Sequence, residues 1–403
     1  MKMIENGICA PKGFKASGVH CGIRKNKEKK DLALIYSMKR ANAAAIYTKN
    51  LVKGAPLIVT KEHLADGKAQ AIICNSGNAN TCNPDGVKIA SSMCSLLAEE
   101  LAVSPEDVIV ASTGVIGRRL DIKPIKDAMP CLVKGLAEKS APAAEAIMTT
   151  DTRIKEAAVS FDIGGRECRI GGIAKGSGMI NPNMATMLAF LTTDCSISSP
   201  MLQKALQEDA EDTFNMISVD GDTSTNDMAA ILANGLAGNQ EITEENEDFY
   251  KFKQALNMVT AALSRMIAAD GEGATKLLEC KVSGAKTQSD ARKAAKAVVD
   301  SSLLKAAMFG SDPNWGRIMS ALGSSGADID VNKVDVAFKS SPGQVVVCRD
   351  GFAVLYPEEL ARKILEQDHI QILVELKDGV FSATAFGCDL TYDYIKINGE
   401  YTT

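Results

Sequence analysis

The sequence predicts a mixed α/β fold in which layered sheets are covered by helices. Short runs of β-branched and apolar residues occur among longer stretches whose apolar residues recur at helical spacing, without a strict strand–helix–strand rhythm. The chain has no GxGxxG between a strand and a helix and no GxxxxGK[ST]. At 403 residues it can form two domains or one large unit. We therefore expect an α/β or α+β architecture and not a Rossmann fold.

The first quarter is expected to be rich in strands, and helices and further strands are expected to follow it. A helix over 85–101 is predicted from apolar positions that recur three and four residues apart, and a second helix is expected over 122–138. Gly164 and Gly165 mark the turn of a hairpin. The predicted strands of the first half are 32–37, 55–60, 69–75, 108–112, 157–163 and 167–174.

The second half is expected to place long helices before a group of strands. Apolar periodicity predicts helices over 199–213, 244–268 and 287–309. The predicted strands are 333–338, 344–348, 370–376 and 380–386.

Composition and charge exclude several classes of function. Apolar residues make up 46% of the chain and charged residues 24%, as in an ordinary globular protein. A net charge of −5 disfavours binding to nucleic acid or to an anionic membrane surface. The first residues, MKMIENGICAPKG, lack the apolar core of a signal peptide, and no apolar run reaches the length of a membrane helix. We therefore expect a cytoplasmic protein.

The cysteines and histidines give little support to a metal site. Eleven cysteines lie far apart without any CxxC, which predicts reduced and mostly buried thiols. Only three histidines occur, and neither HExxH nor GxSxG is present. The run DGDTSTND (220–227) begins like a calcium loop, but Thr225 and Ile231 stand where an EF-hand needs glycine and glutamate. We interpret it as a tight turn whose side chains bond the local backbone, and we expect no metal.

The stretch KGSGMINPNMATMLAFLTTD (175–194) is the strongest candidate for catalysis. Glycines and a proline set the backbone of a loop that ends at Thr186, where an apolar strand is expected to begin. A strained loop can press the threonine hydroxyl onto the preceding carbonyl, so that an acyl shift cuts the bond between Ala185 and Thr186. Such loops are also common as plain turns.

Cleavage before Thr186 would supply the base that its hydroxyl needs. A threonine hydroxyl attacks an amide poorly unless a nearby group accepts its proton. The new α-amine would have a pKa of roughly 7.7–8.0, whereas an ordinary lysine has a pKa of about 10.4. The amine is therefore the better base near neutral pH.

Several blocks of the sequence closely resemble the ornithine acetyltransferase family, the glutamate N-acetyltransferases of arginine biosynthesis. The blocks include GGIAKGSGMINPNMATMLAFLTTD, APKGFKASGV, NSGNAN, STGVIGRRL, FNMISVDGDTSTND, DGEGATK, SDPNWGRI and the closing NGEYTT. They lie in order over essentially the whole chain. One departure is Thr81-Cys82-Asn83-Pro84, where the family usually has Ala-Cys-Thr-Gly. A second is the tail NGEYTT, where relatives often have an Ala-Asp pair before the tyrosine.

The resemblance implies a fold of the DmpA/ornithine-acetyltransferase type and a role for particular residues. Cleavage would give an α chain, 1–185, and a β chain, 186–403, that begins with the nucleophile Thr186. The family's oxyanion hole falls on Thr113 and Gly114. Its substrate contacts fall on Thr152, Lys175, Thr186, Glu272, Asn398 and Thr403.

The resemblance also implies a reaction without a cofactor. Thr186 would take the acetyl group of N-acetylornithine as an ester and pass it to glutamate, in an assembly of two α and two β chains. Acetyl-CoA is a further acetyl donor in part of the family, and the sequence does not decide whether this chain uses it. A self-processing aminopeptidase or amidase of related fold is the alternative enzyme. An uncleaved ligand-binding or scaffold protein is the alternative without catalysis.

Overall fold

The computed structural model describes residues 1–181 and 187–400, and these form two compact units. The chain passes between the units several times, so neither is a continuous segment. Unit 1 consists of 1–176, 183–211 and 223–263, and unit 2 consists of 177–182, 212–222 and 264–403.

The described residues form sixteen strands, numbered in chain order. They are β1 (Lys2–Ile4), β2 (Phe14–Val19), β3 (Leu32–Tyr47), β4 (Lys68–Asn78), β5 (Val108–Val115), β6 (Lys155–Ile163), β7 (Arg166–Lys175), β8 (Leu188–Thr193), β9 (Ile217–Ser218), β10 (Met228–Ala233), β11 (Leu277–Ala285), β12 (Asp335–Ser340), β13 (Gly343–Arg349), β14 (Phe352–Ala353), β15 (His369–Glu375) and β16 (Phe381–Cys388).

Eleven α-helices occur in the same part of the chain. They are α1 (Ala55–His63), α2 (Gly86–Leu101), α3 (Ile122–Lys134), α4 (Ala141–Ala146), α5 (Ser199–Ala210), α6 (Glu247–Ala269), α7 (Gln288–Asp300), α8 (Ser302–Phe309), α9 (Trp315–Gly323), α10 (Glu358–Leu365) and α11 (Tyr392–Glu400).

Unit 1 contains a nine-stranded sheet that is buried on both faces. Its order is β1-β6-β7-β8-β10-β3-β4-β5, with β2 also paired to β3. Side chains alternate between faces along each strand, so neighbours such as Ile72 and Ile73 belong to different cores. Ile72 packs in the core that contains α4, and Ile73 packs in the core formed with α2 and α3. Helices thus cover this sheet as the sequence predicted.

Three strand ends meet side by side in unit 1. Lys175, the last residue of β7, pairs with Leu188, the first residue of β8. Leu188 in turn pairs with Met228, the first residue of the parallel strand β10. The backbone N–H of Met228 donates to the carbonyl of Met187 at 3.0 Å. This register fixes where the chain leaves β7 and enters β8 and β10.

Unit 2 contains a seven-stranded sheet with the order β14-β13-β12-β15-β11-β16-β9. Strand β11 lies between β15, which runs parallel to it, and β16, which runs antiparallel. One core packs α7, α8, α9 and α10 against this sheet. The prediction of a mixed α/β fold with layered sheets is therefore confirmed.

One predicted element is wrong in type, and one predicted helix is divided in two. Residues 55–60 were predicted as a strand but lie in α1, which has Pro56 in its first turn. The run is short and apolar, so its periodicity could not separate a strand from a buried helix. The predicted helix over 287–309 is two helices, because Ser301 adopts an extended conformation and its hydroxyl caps the N-terminus of α8.

Other features of the chain agree with the sequence. Eight of the eleven cysteines are buried, as predicted for reduced thiols. None of the helices in the described ranges is long and apolar enough to cross a membrane.

Candidate functional site

Thr113 and Gly114 lie at the end of β5, where the pairing with β4 becomes irregular. Thr113 pairs with Ser76 and Gly114 with Gly77 before the register shifts at Asn78. Gly114 has a φ of +132°, and a Cβ there would lie 2.4 Å from the carbonyl carbon of Gly77. Only glycine fits this close approach of two backbones. The end of β5 therefore has an unusual backbone conformation at Gly114, next to the partly exposed Thr113.

Polar side chains secure the same strand ends. The Ser112 hydroxyl donates to the Asn75 side-chain oxygen at 2.6 Å, and the Asn75 amide donates to the Asn78 carbonyl at 2.9 Å. Both Ser112 and Asn75 are buried. Because buried polar groups that are fully bonded rigidify their surroundings, these contacts limit movement of the adjacent Thr113.

Lys175 supplies a nearly buried positive charge in unit 1. It is 7% exposed, and its ammonium has neither a hydrogen-bond acceptor nor an ion-pair partner among residues 1–181 and 187–400. Its charge helps to lower the pKa of Asp151, and it offsets part of the rise that burial causes in the pKa values of Asp227 and the Cys74 thiol. An unpaired ammonium is costly to bury, so it is well suited to receive an anionic group of a ligand.

Asp151 and Lys155 form a fully buried ion pair beside the end of β7. The Lys155 Nζ lies 2.6 Å from Asp151 Oδ1, and the same oxygen accepts from the Gly176 N–H at 2.8 Å. Burial alone would raise the pKa of Asp151, but the charges of Lys175 and Lys155 and several hydrogen bonds lower it below its usual range. The pair therefore fixes the backbone directly after Lys175. Thr152, a predicted substrate contact, follows Asp151 and is exposed.

Asp227 is a second buried carboxyl near Lys175. It is 3% exposed, and its Oδ2 has no hydrogen-bond partner within the described part of the chain. Burial holds the pKa of Asp227 well above its usual range, and a hydrogen bond with Ser224 and the charge of Lys175 offset only part of that effect. Asp227 is therefore a neutral acid at acidic pH and remains protonated further toward neutrality than an ordinary aspartate.

Glu272 and Asn398 lie together in unit 2. The Asn398 amide donates to Glu272 Oε2 at 2.7 Å, and the Glu272 N–H donates to the Ser177 carbonyl at 3.0 Å. Gly178 packs against the same carboxylate, since a Cβ at this position would lie 2.3 Å from the Glu272 side chain. Helix α11 therefore brings Asn398 to Glu272, although the last few residues of a chain are otherwise expected to be poorly ordered.

Three of the predicted residues cannot be placed. Ala185, Thr186 and Thr403 lie outside the described residues. Thr186 directly precedes Met187, whose carbonyl accepts from β10. The roles predicted for all the site residues, and cleavage into 1–185 and 186–403, stay predictions.

Sequence reasoning missed four polar residues around these groups: Asp151, Lys155, Asn226 and Asp227. The run DGDTSTND was interpreted as a local turn, and local bonds do occur: the Asp222 N–H donates to Asp220 at 3.3 Å, the Asn226 N–H donates to the Ser224 hydroxyl at 3.2 Å, and the Thr225 hydroxyl donates to Asn226 Oδ1 at 2.7 Å. Most of its bonds are long-range, however, since Asp220 accepts from the Met179 and Ile180 N–H groups. The sequence feature that could have revealed these residues is the run of polar residues directly before the apolar strand β10.

Comparison with known proteins decides the family. The ArgJ family model matches residues 15–403. This chain belongs to the ArgJ family.

Relatives in the ArgJ family match the chain over its full length. The Arginine biosynthesis bifunctional protein ArgJ of Caldanaerobacter subterraneus is 51% identical over 405 residues, which cover 100% of both chains. The Glutamate N-acetyltransferase of Methanocaldococcus jannaschii is 47% identical over 414 residues, again covering 100% of both. The predicted family and the prediction of an enzyme are thereby confirmed.

A solved ArgJ structure agrees with the fold. The crystal structure of Arginine biosynthesis bifunctional protein ArgJ from Bacillus halodurans has a TM-score of 0.50 and 44% sequence identity. The match covers 98% of that chain and 53% of this one.

Proposed function

We propose that this ArgJ family member transfers the acetyl group of N-acetylornithine to glutamate through an acetyl ester on Thr186. Relatives that match the whole chain carry the names of this pathway and of glutamate N-acetylation. The observation that carries the proposal furthest is the nearly buried Lys175 ammonium, which has no partner in the described part of the chain. Both substrates have an α-carboxylate that can pair with it.

The first half of the reaction forms the ester. The Thr186 hydroxyl oxygen attacks the acetyl carbonyl carbon while the Thr186 α-amine takes the hydroxyl proton. Thr113 and the Gly114 N–H stabilise the negative oxygen that develops, as an oxyanion hole does. The carbon–nitrogen bond then breaks, the proton passes to the leaving amine, and ornithine departs.

The second half regenerates the enzyme. The amine of glutamate attacks the ester, the same donors stabilise the second oxyanion, and N-acetylglutamate leaves as Thr186 recovers its proton. Lys175 holds the α-carboxylate in both halves, whereas Glu272, bonded to Asn398, receives a charged amine. Thr152 and Thr403 complete the proposed substrate contacts. The cycle needs no cofactor.

Autocatalytic cleavage between Ala185 and Thr186 is part of the proposal. The solved ArgJ chain from B. halodurans is matched over 98% of its length yet corresponds to 53% of this chain. The fragment 186–403 would be about 54% of the sequence. A separate chain of this size supports cleavage, and we further propose a cytoplasmic assembly of two α and two β chains.

The test separates transfer from hydrolysis. The purified protein is incubated with N-acetylornithine, with and without glutamate, and released ornithine is measured. We expect sustained release only with glutamate, and N-acetylglutamate in equal amount. Sustained release without glutamate would instead support the aminopeptidase or amidase. Exchange with N-acetylornithine is expected to exceed turnover with acetyl-CoA, and the reverse ranking would contradict this part of the proposal.

A further inference from the structure

We propose that Asn226 is a positioning residue for acetyl transfer, because its side-chain amide clamps the two strand ends that present Thr113 and Gly114. The inference rests on the proposed function and assigns to this asparagine the task of fixing the oxyanion donors.

The donor side of the amide joins two strands. Asn226 is 5% exposed and lies two residues before β10. Its Nδ2 donates to the Ser112 carbonyl at 2.9 Å and to the Ala79 carbonyl at 2.6 Å. Ser112 directly precedes Thr113 on β5, and Ala79 directly follows the end of β4. One side chain thus ties together both strands at the point where Gly77 and Gly114 touch.

The acceptor side fixes the orientation of the amide. Asn226 Oδ1 accepts from the hydroxyl of Thr81 at 2.6 Å and from that of Thr225 at 2.7 Å. Because the Ser112 and Ala79 carbonyls can only accept, the nitrogen must face them. All the hydrogen-bonding capacity of the amide is therefore used. Gly54 closes the remaining side, since a Cβ there would lie 2.5 Å from Asn226 Nδ2.

The Asn226 amide acts where the pairing between β4 and β5 is irregular. The β4–β5 register shifts between Gly77 and Asn78, next to the pairs made by Thr113 and Gly114. The regular ladder is therefore interrupted here, although the Ala79 N–H still donates to the Val115 carbonyl at 2.9 Å, and side-chain contacts add to this bond in holding the strand end. Oxyanion donors lose much of their effect when they move by about 1 Å. The Asn226 amide meets this need because it bonds the peptide carbonyl directly before Thr113.

The test compares two buried asparagines of unit 1. Asn226→Asp keeps the shape but replaces the double donor, and Asn239→Asp is the matched control. Asn239 is 8% exposed, and its amide donates to the carbonyls of Ser196 at 3.1 Å and Gln240 at 2.7 Å. None of these partners is a proposed site residue. The measurements are kcat and KM for N-acetylornithine, the melting temperature and the fraction cleaved.

We expect Asn226→Asp to lower kcat by about 10²-fold with KM changed less than about threefold. We expect Asn239→Asp to lose similar stability while keeping its kcat. If Asn226→Asp is not cleaved while an equally destabilised Asn239→Asp is, the result also supports positioning. Equal kcat values for the two variants at matched stability would overturn the inference.

A milder variant covers the case in which Asn226→Asp does not fold. Thr81→Val removes one bond to Asn226 Oδ1 and leaves the amide in place, so we expect kcat to fall by about two- to tenfold with KM unchanged. An unchanged kcat in this variant would contradict the inference. If the wild-type protein itself transfers no acetyl group, the proposed function fails, and that outcome is distinct from wild-type transfer with unaffected variants.

Discussion

At the scale of single residues, the charged side chains around Lys175 determine whether its ammonium is available to a substrate carboxylate. Lys155 pairs with Asp151, whereas Lys175 has no partner within the described residues. Asp227 is buried with one oxygen unbonded in the same part of the chain. If Asp227 were ionised it would compete with a substrate carboxylate for Lys175. Because burial raises the pKa of Asp227, its neutral form, which leaves the ammonium available, persists to a higher pH than that of an ordinary aspartate.

Replacing Lys175 should weaken the interaction with substrate without lowering the stability of the protein. Lys175→Met removes the charge that would hold the substrate carboxylate, so we expect kcat/KM to fall about 10- to 100-fold for both substrates. Stability should be unchanged or higher, because no described ion pair is lost. Lys155→Met is the control, since it leaves Asp151 without its 2.6 Å partner and should be strongly destabilising. Steady-state kinetics and thermal melts check both, and a Lys175→Met variant with wild-type kcat/KM would contradict the assignment.

Asp227 predicts a particular dependence of stability on pH. Its folded pKa is raised, so the folded state keeps a proton that the unfolded chain releases above a pKa of about 3.9. The aspartate therefore costs stability as pH rises from that value toward its folded pKa. Asp227→Asn should melt near the wild-type temperature at pH 4 and increasingly above it toward pH 8.

For Asp151 we expect stability to depend on pH in the opposite direction. Its folded pKa is lowered, so its contribution to stability is present above a pKa of about 3.9 and is lost as pH falls through the folded value. Asp151→Asn should therefore destabilise most at neutral pH. Melting curves that show the same pH trend for both variants would contradict these assignments.

At the scale of elements, the end of β5 requires glycine at position 114, because a residue with a side chain does not fit there. Gly114 combines a φ of +132° with a backbone contact to Gly77. We expect Gly114→Ala to displace Thr113 and to lower kcat on the order of 10²- to 10³-fold. Gly164→Ala is the control, because Gly164 has a φ of +58° with nothing within 4 Å. Equal kcat losses in the two variants would show that strain alone, and not the position of Gly114, explains the effect.

Local patterns predicted some elements and missed others for physical reasons. The helix over Gly86–Leu101 was predictable because its buried residues follow helical spacing. The run at 55–60 was not, since burial against neighbouring elements and not local preference decides its state. Its Thr60 hydroxyl donates to the Val110 carbonyl at 2.7 Å, a contact 50 residues away in sequence.

The residues of the candidate site also fall into those that the sequence predicted and those that it missed. Thr113, Gly114 and Lys175 could be named because they stand in blocks that resemble a family. Asn226 and Asp151 could not, because their importance comes from distant partners: Asn226 bonds Ser112 across 114 residues and Asp151 bonds Gly176 across 25. Thr81, where the family usually has alanine, also has a structural role, since its hydroxyl donates to the Asn226 side chain.

At the scale of the whole molecule, the compact units and the predicted fragments are different divisions of the chain. Unit 1 takes residues from both sides of the Ala185–Thr186 bond, and its sheet places β7 next to β8. The two fragments would therefore share one sheet after cleavage. Because strand pairing and a buried core hold them together, we expect the fragments to separate only when the protein is denatured.

The most direct test of the central claim is the intact mass of the denatured protein before and after incubation with N-acetylornithine. We predict two fragments, 1–185 and 186–403, of which only the second gains one acetyl group, and glutamate should remove it. Thr186→Ala should remain a single chain of 42.7 kDa. A wild-type protein that transfers acetyl while uncut, or that never carries acetyl on the 186–403 fragment, would contradict the account.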